Sequence, residues 1–290
     1  MAIEYALHKP EPLPFMSCYI CPVCGEPLEA SATRKSYQCP KRHSFDLARE
    51  GYLNLLPVQH KHSSEPGDSK AMMQARRAFL EAGFYQPLAR AVAAMIAAGK
   101  PERVLDLGCG EGYYSRFIEA HCLDVAVHGL DIAKTAVAMA AKKQPGARFI
   151  VASSQRLPYA DHYFDLLLRV FAPSNEEELK RVLKPDGLLL TVTPGPRHLW
   201  QLKEFIYSEV RAHAAGGELP PGFECLTTER LHYKITPDGE QRIALLQMTP
   251  FAWRAPDPVR QAIKEAPELE IEADFVLTLA KKRPLPDYLH

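Results

Sequence analysis

Two groups of residues in this 290-residue chain have the types and spacing to do chemistry. The first is Cys21, Cys24, Cys39 and His43, in the pattern C-x2-C-x14-C-x3-H. Two close pairs joined by a short hairpin can supply four tetrahedral ligands to zinc. Gly25, directly after Cys24, permits the tight turn that aims backbone N–H groups at thiolate sulfur. Four protein ligands fill the shell, so such a zinc is structural and not catalytic. Cys18 stands at the same spacing from Cys21, but the turn glycine follows Cys24, which favours Cys21 as the ligand. The alternative is a set of reduced, buried cysteines beside a surface histidine.

The second group is Asp106-Leu-Gly108-Cys-Gly110-Glu111-Gly112 together with Asp131. Val104, Leu105 and Leu107 suit a parallel strand covered on both faces, running straight into a glycine turn. Glycines at alternate positions let the backbone approach a ligand closely. Asp131 closes the apolar run Val125 to Leu130, where an acid can accept hydrogen bonds from both hydroxyls of a ribose. The combination resembles the class I methyltransferases, which bind S-adenosylmethionine. A dinucleotide site fits less well, because its G-x-G-x-x-G spacing places the third glycine one residue later. A Rossmann-like fold with a tight turn and no ligand is the remaining alternative.

Composition narrows the setting. A hydrophobic fraction of 47% and a charged fraction of 24% are ordinary for a globular protein. Thirty-five basic side chains balance thirty-five acidic ones, so the overall field announces no nucleic-acid partner and only a local patch could. The apolar run Ala91 to Ala98 is too short to span a bilayer. Met1 to Pro14 carries prolines and acids where a signal peptide needs an apolar core, so a cytoplasmic location without membrane contact is expected. The seven cysteines then read as metal ligands or buried thiols, not as disulfides.

These groups need elements to position them. Residues 1–16, with Pro10, Pro12 and Pro14, read as an N-terminal extension. Residues 17–62 form a zinc-binding module with little core of its own, so metal binding should fold it. From Ser31 to His62 basic residues outnumber acidic ones by four, with Tyr37, Phe45 and Tyr52 interleaved. That pattern suits phosphates and unpaired bases, or else a solvated face over a small aromatic core. Gln59 to Asp68 is a polar linker, and residues 63–290 form the larger domain. Ser69 to Ala78 predicts a helix, whose Arg76 and Arg77 could meet phosphates or acids of the first module. A second helix is expected over Leu88 to Ala98. Strand and helix then alternate. Strands are expected at the glycine turn, at Val125 to Leu130, Arg148 to Ser153, Phe164 to Phe171 and Leu188 to Thr193. The intervening helices are Tyr113 to Ile118, Lys134 to Lys143 and Glu176 to Leu183. Leu199 to Arg211 predicts a long helix beginning at His198. Glu229 to Ile235 and Asp274 to Ala280 add strands, with helices around Gln241 to Thr249 and Asp257 to Glu265. The alternation predicts an α/β fold with a doubly wound parallel sheet, ligands gathering at the carboxyl ends of its strands.

Taken together, the motifs resemble the bacterial large-subunit ribosomal RNA (guanine-N1)-methyltransferases, which join a zinc module to a domain that uses S-adenosylmethionine. The resemblance rests on the Cys21/Cys24/Cys39/His43 pattern, on Glu50-Gly-Tyr-Leu-Asn-Leu-Leu-Pro-Val-Gln-His60 and on Pro66-Gly-Asp68. It continues through Met72 to Phe79, Asp106 to Tyr114, Thr193-Pro-Gly-Pro-Arg-His198 and Leu245 to Trp253. It implies cofactor contacts from Tyr85, Glu111, Gly112 and His198, to which the reading of the residues adds Gly108, Gly110 and Asp131. It also implies a homodimer whose zinc modules help form an RNA cleft, and an unpaired guanine of a 23S rRNA hairpin as substrate. The proton on guanine N1 needs an acceptor, yet Phe171-Ala-Pro-Ser174 after the fourth strand holds no carboxylate or histidine, and no catalytic residue is assigned. A methyltransferase acting on a small molecule and a non-enzymatic RNA-binding protein are the competing classes.

Overall fold

The computed structural model describes residues 18–57, 70–122, 124–144, 148–213 and 219–283. The N-terminal extension, the whole linker with Pro66-Gly-Asp68, and the expected boundary at residue 62 lie outside them.

Three short strands, β1 (Glu29–Ala30), β2 (Ser36–Gln38) and β3 (Ser44–Asp46), form a small antiparallel sheet in the order β1-β2-β3. Tight turns flank it. Gly25 N–H donates to the Cys21 carbonyl at 2.8 Å, and Arg42 N–H to that of Cys39 at 2.8 Å.

The chain then joins the larger sheet. β4 (Leu53–Asn54) lies parallel to β7 (Arg148–Val151), with Leu53 opposite Ile150 and Asn54 opposite Val151. The eight-stranded order is β10-β11-β9-β8-β5-β6-β7-β4. Its parallel centre is β5 (Arg103–Leu107), β6 (Ala126–Asp131) and β8 (Phe164–Val170), with β9 (Leu183–Pro194) beside β8. β11 (Ile271–Lys282) runs antiparallel to both β9 and β10 (Phe223–Ile235). The strand order reverses at β5, so the crevice outside its carboxyl end is the expected ligand position.

Helices cover the sheet: α1 (Lys70–Glu81), α2 (Gln86–Gly99), α3 (Tyr113–His121), α4 (Lys134–Lys143), α5 (Glu176–Val182), α6 (Trp200–Glu204), α7 (Gly239–Gln247) and α8 (Asp257–Glu265). Local chemistry sets several of their ends. The Asn175 side chain caps α5, whose first turn holds three glutamates and whose last holds Lys180 and Arg181, an arrangement that suits the helix dipole. Asp238 and Gln241 form a capping box at α7. In α4, Ala136, Val137, Ala140 and Ala141 make a buried stripe of small side chains that brings the helix close to the sheet.

Two expectations about elements are corrected. The helix expected over Leu199 to Arg211 stops at Glu204. The segment beyond folds back, with His213 N–H donating to the Pro196 carbonyl at 3.2 Å and Lys203 Nζ bonding His213 Nε2 at 2.7 Å. β9 starts at Leu183, directly after α5 and ahead of the Leu188 expected for it, and its pairing with β8 breaks register there: Phe164 faces Leu183, and Leu166 faces Leu188.

The zinc module also has more core than its length suggests. Tyr19 bridges to Tyr159, Ala160 N–H donates to the Cys18 carbonyl at 2.9 Å, and the Tyr19 ring packs against Tyr37 and Tyr159. Cys18, Tyr19, Leu28, Leu53 and Leu55 share one buried cluster with Leu105, Ile150, Leu157 and Phe164. The aromatics proposed for bases are largely structural: Tyr52 is buried with Val137 and Phe149, and Tyr37 stands edge-on to Tyr19. The basic residues Arg34, Lys35, Lys41, Arg42 and Arg49 remain exposed.

Candidate active site and metal centre

The ligand atoms of Cys21, Cys24, Cys39 and His43 all lie within 4.8 Å of one another. Cys24 Sγ and Cys39 Sγ are 3.7 Å apart, and His43 Nδ1 is 3.6 Å from Cys21 Sγ and 3.3 Å from Cys39 Sγ. A tetrahedron with Zn–S bonds of about 2.3 Å has sulfur–sulfur edges of roughly 3.8 Å. The donor set and its spacing therefore fit zinc, and the four ligands leave no open position. Cys18 stands outside the set, its thiol pushed up to about 11, chiefly by burial, with Tyr163 beside it.

The glycine turn joins β5 to α3. Gly108, Gly110 and Gly112 all take positive φ, at 72°, 55° and 78°. A Cβ on Gly108 would lie 2.6 Å from the Cβ of Ala172, so the turn packs directly on the segment after β8. Asp131, at the end of β6, clamps the turn: its Oδ2 accepts the Gly110 N–H at 2.9 Å, and its Oδ1 accepts the Ala133 N–H at 2.8 Å. Beneath the turn, Asp106 accepts a hydrogen bond from Ser115 Oγ at 2.7 Å. Burial, with the Asp131 charge adding to it, pushes the Asp106 carboxyl up to about 7. Above the turn lies α1: Met73 Cε and Arg76 Nη1 come within 3.7 Å and 3.9 Å of the place a Gly110 Cβ would occupy.

Glu111 is positioned differently from its neighbours. Its side chain is 1% exposed and bonds Arg116 at 3.1 Å and Lys143 at 3.0 Å, while Lys143 also bonds Glu81. The carboxylate thus ties α1, α3 and α4 together, which leaves the Glu111 backbone to serve the turn. Arg77 pairs with Glu81 on its own helix, so of the two guanidiniums only that of Arg76 stands over the turn.

Tyr85 and His198 belong to a second wall. The buried Tyr85 ring meets Phe79, Phe275 and His198, with centroids 5.1, 5.0 and 6.3 Å away. Phe171 connects this wall to the turn: its ring lies 5.8 Å from that of His198, and its neighbour is the Ala172 that touches Gly108. His198 Nδ1 accepts the Asp274 N–H at 3.3 Å, which leaves the imidazole proton on Nε2. Burial, then the positive charges of Lys203 and His213, lower His198 to about 3. At neutral pH it is an uncharged hydrogen-bond donor and not a proton acceptor.

The loop carrying His198 is held by two acids of β11. Asp274, fully buried, accepts from Arg230 Nε at 2.8 Å and from the Arg197 N–H at 2.8 Å. Gly195 is required here, since a Cβ would sit 2.3 Å from Asp274 Oδ1. Glu272 accepts from Arg197, Gln201 and His232 at 2.6, 2.7 and 2.8 Å, and these bonds, Arg197 first, hold its carboxyl down at about 2.

All seven residues expected at the cofactor therefore lie on the turn, at Asp131, or on the ring wall that Phe171 links to it. Sequence reasoning assigned no role to the side chains of Asp106, Phe171, Glu272 and Asp274. Asp106 had a signal, an acid inside an apolar strand. So did β11, where Glu272 and Asp274 alternate with apolar residues. Asp165, on β8, accepts the N–H of Arg103 at the start of β5 at 2.9 Å and so ties neighbouring strands together.

Comparison with known proteins follows the same division. Residues 19–64 match the family profile described as "RlmA, N-terminal", and residues 104–187 match one described as "Methyltransferase domain". The 23S rRNA (guanine(748)-N(1))-methyltransferase of Streptomyces fradiae is 35% identical over 92% of this chain and 96% of its own length. A candidate 23S rRNA (guanine-N(1)-)-methyltransferase of Bacillus subtilis, YxjB, is 33% identical over 92% of this chain and 98% of its own. A malonyl-[acyl-carrier protein] O-methyltransferase of Halorhodospira halophila, 33% identical, covers only 36% of this chain, the share a cofactor domain alone explains. With a glycine turn suited to S-adenosylmethionine, a tetrahedral zinc centre and matches running nearly end to end, the protein belongs to the family of 23S rRNA (guanine-N1)-methyltransferases.

Proposed function

We propose that this protein transfers the methyl group of S-adenosylmethionine to N1 of an unpaired guanine in a hairpin of 23S rRNA. The observation that carries the reading is the presence in one chain of the Cys21/Cys24/Cys39/His43 tetrad and the Asp131-clamped glycine turn, packed through a shared core.

The bound cofactor supplies an electrophilic methyl group on a sulfonium. The chain's own residues hold and align. Asp131 closes β6, where an acid can meet ribose hydroxyls, the turn offers close backbone approach, and neutral His198 offers an N–H. Alignment of this kind is the main requirement of an in-line displacement. Guanine N1 lies on the Watson–Crick edge, so the base must leave its pair before it can react. Neither His198 nor Asp106 is arranged to take the N1 proton, since one is held as a donor and the other is buried against Ser115. Cys21, Cys24, Cys39 and His43 would hold zinc to fix the fold of the module.

The exposed cations of residues 17–57 support a role for that module in gripping RNA phosphates. We infer further that the protein works in the cytoplasm as a homodimer. The seven cysteines, all free, suit a reducing compartment, and among the described residues no helix is long and apolar enough to cross a membrane. Among the described residues no strand lies beyond β10, an outermost strand of thirteen residues, and that edge supports pairing with a second copy.

The test is transfer of labelled methyl from S-adenosylmethionine to unmodified 23S rRNA, mapped by reverse-transcription stops. A new stop beside one guanine is the expected result. Protein shown to hold zinc and cofactor that labels no rRNA would overturn the reading. Light scattering in solution tests the dimer.

A further inference from the structure

Phe171 is a large apolar side chain that its contacts with His198 and Phe275 cover only in part. It is 47% exposed and stands at φ 54°, a left-handed conformation that non-glycine residues rarely adopt. Strain of this kind persists where the surroundings impose it. They do so here. Phe171 N–H donates to the Val192 carbonyl at 3.2 Å, Arg169 braces Ser174 at 2.9 Å, and Asn175 bonds the backbone of Ser154 and Gln155. The consequence is a ring held out at the carboxyl end of β8, near the rings of His198 and Phe275, while its chain neighbour Ala172 packs on the Gly108 turn. Among the described residues the other exposed large apolar side chains are Val23, Leu47, Leu226 and Trp253.

From this placement we propose that Phe171 is the platform on which the target guanine stacks once it is unpaired. The inference rests on the function proposed above. A half-exposed ring whose chain neighbour Ala172 packs on the turn for the methyl donor can take the face of a purine. The edge of that purine is then left available to the reacting carbon. Stacking is the usual means by which proteins hold an unpaired base. The strained backbone is consistent with a residue placed for contact and not for fold stability.

The experiment compares wild type with Phe171→Gly and Phe171→Tyr. Three quantities are measured: thermal midpoint, cofactor affinity by calorimetry, and kcat/KM for methyl transfer to unmodified 23S rRNA. Glycine removes the ring and relieves the positive φ, so the thermal midpoint should hold or rise. Cofactor affinity should stay within about twofold, while transfer efficiency falls roughly 10- to 100-fold, the usual effect of losing a base–aromatic stack. Phe171→Tyr should restore most of the efficiency. Wild-type efficiency in Phe171→Gly overturns the proposal, as does a loss of transfer that only follows a loss of cofactor affinity. If wild type labels no rRNA, the functional reading falls and the stacking role with it; if wild type labels and Phe171→Gly labels equally, the stacking role alone falls.

Discussion

Asp131 accepts the backbone N–H of Gly110 at 2.9 Å, so the acid that closes one strand also shapes the turn that closes the strand beside it. The second oxygen does the same for Ala133 at the start of α4. One carboxylate thus fixes two stretches of backbone that face the same ligand. Cofactor affinity and local stability are coupled through it.

Replacing Asp131 with alanine should therefore lower both. Hydrogen bonds to a charged group contribute about 1.5–3 kcal/mol each in favourable cases, and partial exposure of Asp131 puts the expected loss of stability near the lower end. Cofactor affinity should fall more than tenfold, because the ribose contact and the turn geometry are lost together. Zinc content should not change. Calorimetric titration beside metal analysis checks both; unaltered affinity would remove the ribose assignment.

Cys39→Ser tests the metal centre. Cys39 lies 3.7 Å from Cys24 Sγ and 3.3 Å from His43 Nδ1, so it belongs to both halves of the tetrad. Loss of zinc should disorder the turns and expose the Tyr19–Tyr159 contact to solvent. Because the module shares its core with the larger sheet, the whole protein should melt at lower temperature. A strong chelator applied to wild type should have the same effect. Full zinc occupancy in the variant would show the ligand set to be wrong.

How much of this was legible in the chain depends on the range of the interactions. The central strands were, because Val104 to Leu107, apolar except for Asp106, and Leu166 to Leu168 are runs buried on both faces. α4 and α8 have the bounds expected of them, Lys134–Lys143 and Asp257–Glu265. The zinc ligands were legible because their spacing is a local constraint. Long-range features were not. β4 is two residues long, and its pairing with β7 across about a hundred residues leaves no periodicity to detect. Tyr37 and Tyr52 looked like RNA contacts because a sequence does not show that a second domain will cover them. The anchoring of the His198 loop by Asp274 joins residues 76 positions apart.

Gly108→Ala and Gly51→Ala separate two costs of adding a methyl group. Both glycines have positive φ, at 72° and 94°, but only at Gly108 is the space occupied, by the Ala172 Cβ at 2.6 Å. Gly51→Ala should cost about 1–2 kcal/mol, the penalty of a left-handed alanine. Gly108→Ala adds a steric clash, which typically costs a further 1–3 kcal/mol or so. It should also displace Ala172 and Phe171 and weaken cofactor binding. Denaturant melts and titrations on both variants check this; equal losses of stability would show that the segment after β8 yields freely.

The buried Asp106 carboxyl gives a pH signature of its own. Folding raises it from 3.8 to about 7, chiefly through burial. The folded state therefore keeps a proton that the unfolded state releases near pH 4. Stability from this group is present at low pH and is lost as pH rises towards about 7. Asp106→Asn keeps an acceptor for Ser115 Oγ and removes the titration. Between pH 5.5 and 7 the stability of the variant relative to wild type should therefore increase by about 2 kcal/mol, at 1.36 kcal/mol per pH unit, and level off above. Parallel melts at a series of pH values, with zinc present throughout, provide the measurement. A difference that stays flat with pH would mean that Asp106 is ionised in the folded protein, and the Ser115 hydroxyl would then be bonding a charge.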